Sequence, residues 1–233
     1  MKMPAMPYPG TAGNSLFMLI TSIGKDSAMD LLSKMIAVTD RHVFDTAPDP
    51  EEAFLAQLAR IFRAEPRAVV LREKDLSPEA YLALASKVLA LKAHLCTGSD
   101  VPLILHGFPE AARALRVSAI HLPLSMLLSL HESDPALLSG FRTIGASVHS
   151  PEDARAAVSC GAAYLFAGNV WETSCKPGKA AAGLDYLRSV VSAVDVPVYG
   201  IGGVTPERMP QLLAAGAAGG CMRSGFMKYG AEV

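Results

Sequence analysis

The sequence has few charged residues, and the two signs almost cancel. Only 18% of its 233 residues are charged, and 21 lysines and arginines against 22 aspartates and glutamates leave a formal net charge of −1. Proteins that bind nucleic acid through a broad basic face carry a clear positive excess. We therefore expect no nucleic-acid partner.

Cysteine is also scarce. The four cysteines, Cys96, Cys160, Cys175 and Cys221, are widely spaced and form no C-x-x-C pair. This spacing argues against a metal site or a disulfide framework and is typical of reduced thiols. The sequence therefore predicts a cytoplasmic protein.

Long apolar runs are absent, although hydrophobic residues make up 51% of the chain and the mean hydropathy is +0.29. A membrane-spanning helix needs about 18 consecutive apolar residues. The best candidate, Leu16–Ile23, is far shorter and contains Thr21 and Ser22. We expect no membrane partner and attribute the hydropathy to a core of buried strands.

Two kinds of segment alternate from Met35 onward. The strand candidates, apolar at successive positions as in strands covered on both faces, are Met35–Thr39, Ala68–Arg72, Pro102–His106, Ala119–Leu122, Thr143–Val148, Ala163–Ala167, Val196–Ile201 and Gly219–Met222. The helix candidates, longer and rich in Ala and Leu, are Pro50–Phe62, Pro78–Lys92, Pro109–Leu115, Pro135–Ser139, Pro151–Cys160, Ala181–Ala193 and Pro206–Ala215. This α/β repeat favours a closed (β/α)8 TIM barrel over an open doubly wound sheet.

The two ends of the chain depart from a regular eightfold repeat. Residues 223–233 after the last strand are too few for a full helix, so we expect a shortened eighth helix. We expect an N-terminal tail and extension over residues 1–33 and a single barrel domain over 34–233. We hypothesise that residues 14–33 cover the groove between the last and first strands, with a subunit interface as the alternative.

Glycine-rich runs follow the last two strand candidates. Gly200–Pro206 ends the seventh, and Met222–Gly225 ends the eighth. In this fold such loops bring backbone N–H groups close to an anion. We expect a phosphate site there, formed by Gly202, Gly203, Arg223 and Ser224; the alternative is tight turns that need positive φ.

Charged and titratable residues end other strands. Arg72 and Lys74 follow the second strand and suit a phosphate or a carboxylate, unless they form an ordinary charged rim. His149 follows the fifth strand, where it could move protons near neutral pH or simply cap and pack. His106 ends the third strand, and we expect it to assist. Glu172–Gly178 follows the sixth strand as a long polar loop that suits a lid over an anion.

Several runs together resemble the thiamine phosphate synthase/TenI superfamily. They span roughly residues 34–227 in the right order and are Arg72–Lys74, Ile144–Ser150, Phe166–Lys176, Gly200–Arg208 and Met222–Phe226. The resemblance implies a (β/α)8 barrel and one of two activities. The synthase joins a pyrimidine pyrophosphate to a thiazole phosphate and uses Mg²⁺. The TenI-type tautomerase isomerises a thiazole carboxylate phosphate to its aromatic form without a metal.

The resembling motifs bear on which activity applies. The synthase pattern has Asn-Asp after the third strand and acidic residues after His-Leu-Gly-Gln at the fourth, where this sequence has His106-Gly107 and His121-Leu122-Pro123. The carboxylates that would hold Mg²⁺ are missing at those places. The Leu-Pro pair and the S-V-H-S run are similar to TenI-type members. We therefore hypothesise a thiazole tautomerase with His149 as acid and base.

The same resemblance implies the remaining partners. No cofactor or metal is expected for the tautomerase. Mg²⁺ is expected only if the synthase alternative holds. The substrate is a small phosphorylated thiazole, and a homo-oligomer is an open alternative. A divergent thiamine phosphate synthase and a non-catalytic thiazole- or thiamine-phosphate-binding protein are the alternative functions. The resemblance implies these substrate contacts: Arg72, Lys74, His106, Ser147, Thr173 and Lys176.

Overall fold

A computed structural model describes Leu16 and residues 22–95, 100–173 and 180–229. Each strand pairs in parallel with the next in sequence, and β8 pairs with β1, which closes the barrel. The predicted (β/α)8 barrel is therefore confirmed. The strands are β1 Met35–Val38, β2 Ala68–Leu71, β3 Leu103–His106, β4 Ala119–Pro123, β5 Thr143–Val148, β6 Tyr164–Gly168, β7 Val198–Ile201 and β8 Gly219–Met222.

Helices surround the barrel. They are α1 Lys25–Leu32, α2 Pro50–Arg63, α3 Pro78–His94, α4 Pro109–Ala114, α5 Leu124–Ser133, α6 Pro135–Ser139, α7 Pro151–Ser159, α8 Gly183–Val191, α9 Met209–Ala214 and α10 Ser224–Met227. Short 3-10 turns lie at Arg41–Phe44 and Pro206–Arg208.

Strand residues divide between two apolar layers, which explains why whole strands read as apolar. One layer lies between the sheet and the helices and holds residues such as Ala37, Val69 and Leu105. The other fills the barrel and consists of Ile36, Val38, Ala68, Val70, Ile104, Tyr164, Phe166, Tyr199 and Cys221. The apolar content of the sequence therefore belongs to strands covered on both faces.

Hydroxyl caps and prolines set the helix starts as the sequence indicates. The Ser77 hydroxyl accepts from the Ala80 N–H at the start of α3, and Ser150 accepts from Asp153 at the start of α7. Both helices have proline in their first turn. These caps set the residue at which each helix begins, after the loop that follows the preceding strand.

One helix is absent from the sequence prediction. Between β4 and β5 the chain forms α5 as well as α6, and Leu127 is the one fully buried residue of α5. Its apolar residues are therefore mostly half-buried, so α5 has no clear inward stripe in the sequence.

The C-terminal turn is short and tied down. Helix α10 has four residues, which confirms the shortened eighth helix. The Gln57 side-chain amide of α2 donates to the carbonyls of Phe226 and Tyr229 and holds the turn in place. Near the other end, Ala28 and Leu32 of α1 are buried.

The hypothesis that the N-terminal segment covers a groove stays a prediction, since most of residues 14–21 lie outside the described part. The domain limits at 1–33 and 34–233 stay predictions too. Within the described residues, no helix combines the length and apolarity that crossing a membrane would need.

Candidate active site

A cavity of about 670 Å³ opens at the carboxyl ends of the strands. Every strand or the loop that follows it contributes to the cavity, as expected for the catalytic face of this fold. The cavity brings together nearly all the residues predicted from sequence: Arg72, Lys74, His106, Ser147, His149, Thr173, Gly202, Gly203, Arg223 and Ser224. Lys176 lies outside the described residues, so its predicted contact stays a prediction.

The cavity is strongly cationic. Its basic lining residues are Arg72, Lys74, Arg208, Arg223 and Lys228. Glu172 is the single carboxylate among the described lining residues. A cavity with this excess of positive charge suits a phosphorylated ligand that carries more than one negative charge.

Arg72 and Lys74 stand at the rim because the residue between them turns inward. Glu73 is 2% exposed. Its carboxylate accepts from the Thr39 hydroxyl and from the Arg41 N–H, at 3.1 Å for the latter. Burial raises the Glu73 pKa. The arginine and lysine side chains make no hydrogen bond or ion pair with any residue that the structure describes, so both are available to a ligand.

Two other cations are engaged by the protein. Arg223 forms an ion pair with Asp40 at 2.9 Å. Arg208 donates to the Gly203 carbonyl at 2.6 Å and lies 5.0 Å from the centre of the Trp171 ring. These two arginines therefore shape the loops of the site as well as adding charge. Arg208 belongs to one of the resembling sequence runs, but no sequence pattern predicts it as a site residue.

Backbone geometry requires the glycine pair. Gly202 and Gly203 have φ of +95° and +64°. A Cβ on Gly202 would lie 2.5 Å from the Asn169 Cβ, and one on Gly203 would lie 2.7 Å from the Trp171 Cβ. The positive φ that we considered as the alternative is thus present, because this loop passes under the loop after β6. Phosphate binding by the pair stays a prediction.

His149 presents one ring nitrogen to the cavity. Its Nδ1 lies 2.6 Å from the Gly168 carbonyl, which can only accept, so Nδ1 carries the proton. Its backbone N–H donates to Asp153 at 2.9 Å, beside the cap of α7. With the proton on Nδ1, the ring offers a lone pair at Nε2, which can accept a hydrogen bond.

A second pair of histidines lies deeper. His106 is 8% exposed, and burial, aided by the charge of Arg72, lowers its pKa to about 4. His121 is fully buried, and burial lowers its pKa well below the usual range. The two rings stack with centres 5.6 Å apart. Both are therefore neutral at physiological pH.

The site does not fit the Mg²⁺ ion that the synthase resemblance implies. The described residues contain no cluster of three or more His, Cys, Asp or Glu side chains that could hold a metal ion. Two carboxylates near the rim are already taken: Glu73 by Thr39, and Asp40 by Arg223. A hard cation needs several oxygen ligands, and this chain offers cationic side chains instead.

Comparison with known proteins supports the sequence resemblance. The family model for thiamine monophosphate synthase matches residues 36–226. A thiamine-phosphate synthase from Thermus thermophilus is 36% identical over 167 residues, covering 71% of this chain and 77% of the relative. One from Lacticaseibacillus paracasei is 31% identical over 207 residues, covering 87% and 89%. A solved thiamine phosphate pyrophosphorylase from Pyrococcus furiosus has a TM-score of 0.65 at 25% identity, covering 88% and 91%.

These matches correct the hypothesis of a thiazole tautomerase, which is wrong. The relatives from Thermus thermophilus and Lacticaseibacillus paracasei carry the synthase name, in favour of the alternative function. The motifs behind the hypothesis bring His149 to the cavity mouth, and a ligand-binding role uses that position equally well. The catalytic role of His149 stays a prediction. The family match extends over most of the chain, and the protein therefore belongs to the thiamine monophosphate synthase family.

Proposed function

We propose that this protein is a transferase that joins a pyrimidine pyrophosphate to a thiazole phosphate and forms thiamine phosphate. The observation that carries the proposal is the division of the cavity between a cationic rim and a neutral, partly aromatic floor. Both substrates are small phosphorylated molecules with one planar ring, so each needs a place for charge and a place for a ring.

The chemistry asks for stabilisation of a leaving anion. The carbon–oxygen bond to pyrophosphate breaks, and its electron pair leaves with the pyrophosphate. The thiazole nitrogen then supplies the pair for the new carbon–nitrogen bond. Charge that develops on the leaving group is stabilised by fixed cations placed beside it. Arg72 and Lys74 are suited to that task because Glu73 holds their turn and no described protein partner competes for them.

The other rim groups hold the thiazole phosphate. Gly202 and Gly203, after β7, and Arg223 and Ser224, after β8, line the same cavity, and backbone N–H groups at glycine-rich loops suit a phosphate. The His149 Nε2 is the ring nitrogen available to the substrate as a hydrogen-bonding contact, because its Nδ1 is committed to Gly168. Protein cations take the charge-neutralising part in this scheme, since the donor set does not fit Mg²⁺.

The test is a condensation assay with the purified full chain and both phosphorylated substrates. Thiamine phosphate is measured with added Mg²⁺ and, separately, with excess EDTA. We expect product in both, with rates within about threefold, because the groups that neutralise pyrophosphate belong to the protein. No product in either condition would overturn the proposed transferase, and product with Mg²⁺ alone would overturn its metal independence.

A second candidate is a non-catalytic protein that binds thiazole phosphate or thiamine phosphate. The observation that favours it is the absence, at the ends of β3 and β4, of the acidic residues of the synthase pattern. Tight binding of thiamine monophosphate by calorimetry, together with no turnover in the assay above, would support this candidate and exclude the transferase.

A further inference from the structure

A line of three hydrogen-bonding side chains runs from the barrel interior to the cavity. Ser147 lines the cavity, and its Oγ lies 2.9 Å from His121 Nε2. The His121 Nδ1 lies 3.1 Å from the Tyr164 hydroxyl. Tyr164 is 7% exposed and His121 0%. Neither lines the cavity, so neither has a direct part in binding.

A glycine in β5 makes room for this line. Gly145 lies beside Tyr164 across the sheet, and a Cβ there would collide with the tyrosine ring and hydroxyl. The Tyr164 hydroxyl can therefore reach His121 only because residue 145 has no side chain.

Tyr164, at the buried end of the line, decides the direction of both hydrogen bonds. A neutral imidazole has one N–H and one lone pair, so His121 either donates to Ser147 or donates to Tyr164. The Tyr164 hydroxyl makes no hydrogen bond besides His121 among the described residues. If it accepted from His121, its own hydrogen would be buried without an acceptor, which is costly. Tyr164 therefore donates to Nδ1, and Nε2–H donates to Ser147.

His106 adds a second group of the same kind. Its Nδ1 is buried and has no hydrogen-bond partner in the described structure. A proton on Nδ1 would be an unpartnered buried donor, so the neutral ring carries its proton on Nε2. Since His106 lines the cavity, that Nε2–H is the polar edge that a ligand meets.

The surroundings of the Ser147 hydroxyl and the His106 Nε2–H suit an uncharged ring better than an anion. Phe166 lines the cavity next to Ser147 across the sheet and stacks on His121, with ring centres 4.1 Å apart. Other lining side chains at this depth, Val38, Ile201 and Cys221, belong to the apolar barrel interior. The cations lie on the loops above the strand ends. Neutral donors in an apolar floor match acceptor atoms on an uncharged ring.

We propose that Tyr164 and His121 are positioning residues that fix the Ser147 hydroxyl as a hydrogen-bond donor toward the cavity. Ser147 and His106 then form a neutral donor pair for the acceptor nitrogens of a planar heteroaromatic ring. The identity of that ring as a pyrimidine rests on the proposed function. The direction of the hydrogen bonds does not, since it follows from the protein alone.

Calorimetric titration with two probes tests the proposal. Thiamine monophosphate carries a ring with acceptor nitrogens, whereas inorganic pyrophosphate has charge and no ring. Tyr164→Phe removes the hydroxyl that donates to His121 Nδ1, so His121 is no longer held as a donor to Ser147. We therefore expect thiamine monophosphate to bind about fivefold more weakly, the effect of one hydrogen bond. Pyrophosphate affinity is expected to stay within about twofold. The matched control is Tyr199→Phe, a second buried barrel tyrosine, which should change neither affinity.

A double-mutant cycle separates positioning from general loosening of the barrel. Ser147→Ala should weaken thiamine monophosphate binding by about the same factor as Tyr164→Phe. The double variant should bind no more weakly than Ser147→Ala alone, because the tyrosine acts through the serine. Additive losses, or an equal loss of pyrophosphate binding, would overturn the proposal.

Nitrogen NMR of the wild-type protein tests the same point without a variant. The His121 ring should show a protonated Nε2 and an unprotonated Nδ1. The opposite tautomer would overturn the proposal, as would a wild-type chain without measurable affinity for thiamine monophosphate. Neither measurement needs turnover, so a chain that binds in this pattern but forms no thiamine phosphate would refute only the proposed transferase.

Discussion

Thr39 and Glu73 join the ends of the first two strands through a buried hydrogen bond. The threonine hydroxyl donates to the carboxylate and also accepts from the Arg72 N–H at 2.9 Å. One side chain at the end of β1 thus fixes the turn that carries Arg72 and Lys74. The cationic rim depends on this contact between groups that are 34 residues apart.

Thr39→Val should therefore affect both stability and anion binding. The change removes the hydroxyl and leaves the buried Glu73 short of a donor, so we expect the free energy of unfolding to fall by about 1–3 kcal/mol. Pyrophosphate affinity should fall as the turn loosens. Urea unfolding and calorimetry measure the two effects. Lys87→Met, which removes an exposed ion pair with Glu51, is the control and should cost about 0.5 kcal/mol or less.

Arg72→Gln and Lys74→Gln should each weaken pyrophosphate binding by about tenfold or more, because each removes a charge-assisted hydrogen bond. Stability should hardly change, since neither side chain bonds to a described residue. Calorimetry at two salt concentrations measures the loss, which should be larger at low salt. Unchanged affinity in both variants would contradict the assignment of these cations to the anion.

His149→Gln should lower the rate of thiamine phosphate formation by about tenfold, because the variant loses the ring nitrogen Nε2 as a hydrogen-bonding contact to the substrate. The binding of inorganic pyrophosphate should be kept. The assay is the condensation described above, with His131→Gln on the exposed face of α5 as the control. A rate within a factor of two of the wild type would remove His149 from the mechanism.

Gly202→Ala should destabilise the protein by about 1–3 kcal/mol. Its φ of +95° is unfavourable for alanine, and the new Cβ would meet Asn169. Gly24→Ala is the matched control, because Gly24 has φ of −54° and open space around a Cβ. Thermal unfolding of both variants measures the contrast, and equal effects at the two glycines would be inconsistent with the loop packing.

His106 should make stability depend on pH in a defined window. Its pKa in the folded protein is about 4, below the usual 6.5, so the unfolded chain binds more protons between these values. Stability is thus fully present above pH 6.5 and is lost as pH falls toward 4. From pH 7 to pH 5 we expect this residue to account for about 2 kcal/mol.

The measurement is urea unfolding of the wild type and His106→Phe at both pH values. The variant should lose less stability on acidification than the wild type. His121, whose folded pKa is also lowered, acts in the same direction in both proteins, so the difference between them isolates His106. Parallel losses would show that His106 is not buried as a neutral ring.

Local sequence determined much of the fold because its signals are short-range. Apolar runs of strand length, hydroxyl-proline helix starts such as Ser77-Pro78, and glycines at strand ends each depend on neighbouring residues. Their eightfold alternation was enough to predict the barrel and its clipped last helix. Helix α5 was missed because it buries a single residue fully, so no inward stripe marks it.

Most residues of the candidate site could also be predicted from the sequence, because the carboxyl ends of parallel strands meet at one face of the barrel. Arg72, Lys74, His106 and His149 could be named because each directly ends a strand or follows one. The partners that decide what those residues do could not. Thr39 and Glu73, or Tyr164, His121 and Ser147, are far apart in the chain, and no local pattern pairs them.

By itself, then, the sequence determined the architecture, the face of the barrel that holds the site and the shortage of metal-binding carboxylates. Tertiary structure decided the chemical state of the site. Burial makes His106 and His121 neutral, and a buried phenol sets the direction of a hydrogen-bonded line. An inward glutamate leaves two cations to the ligand. These states depend on solvent exclusion and on contacts across the barrel, which arise only when all eight strands close.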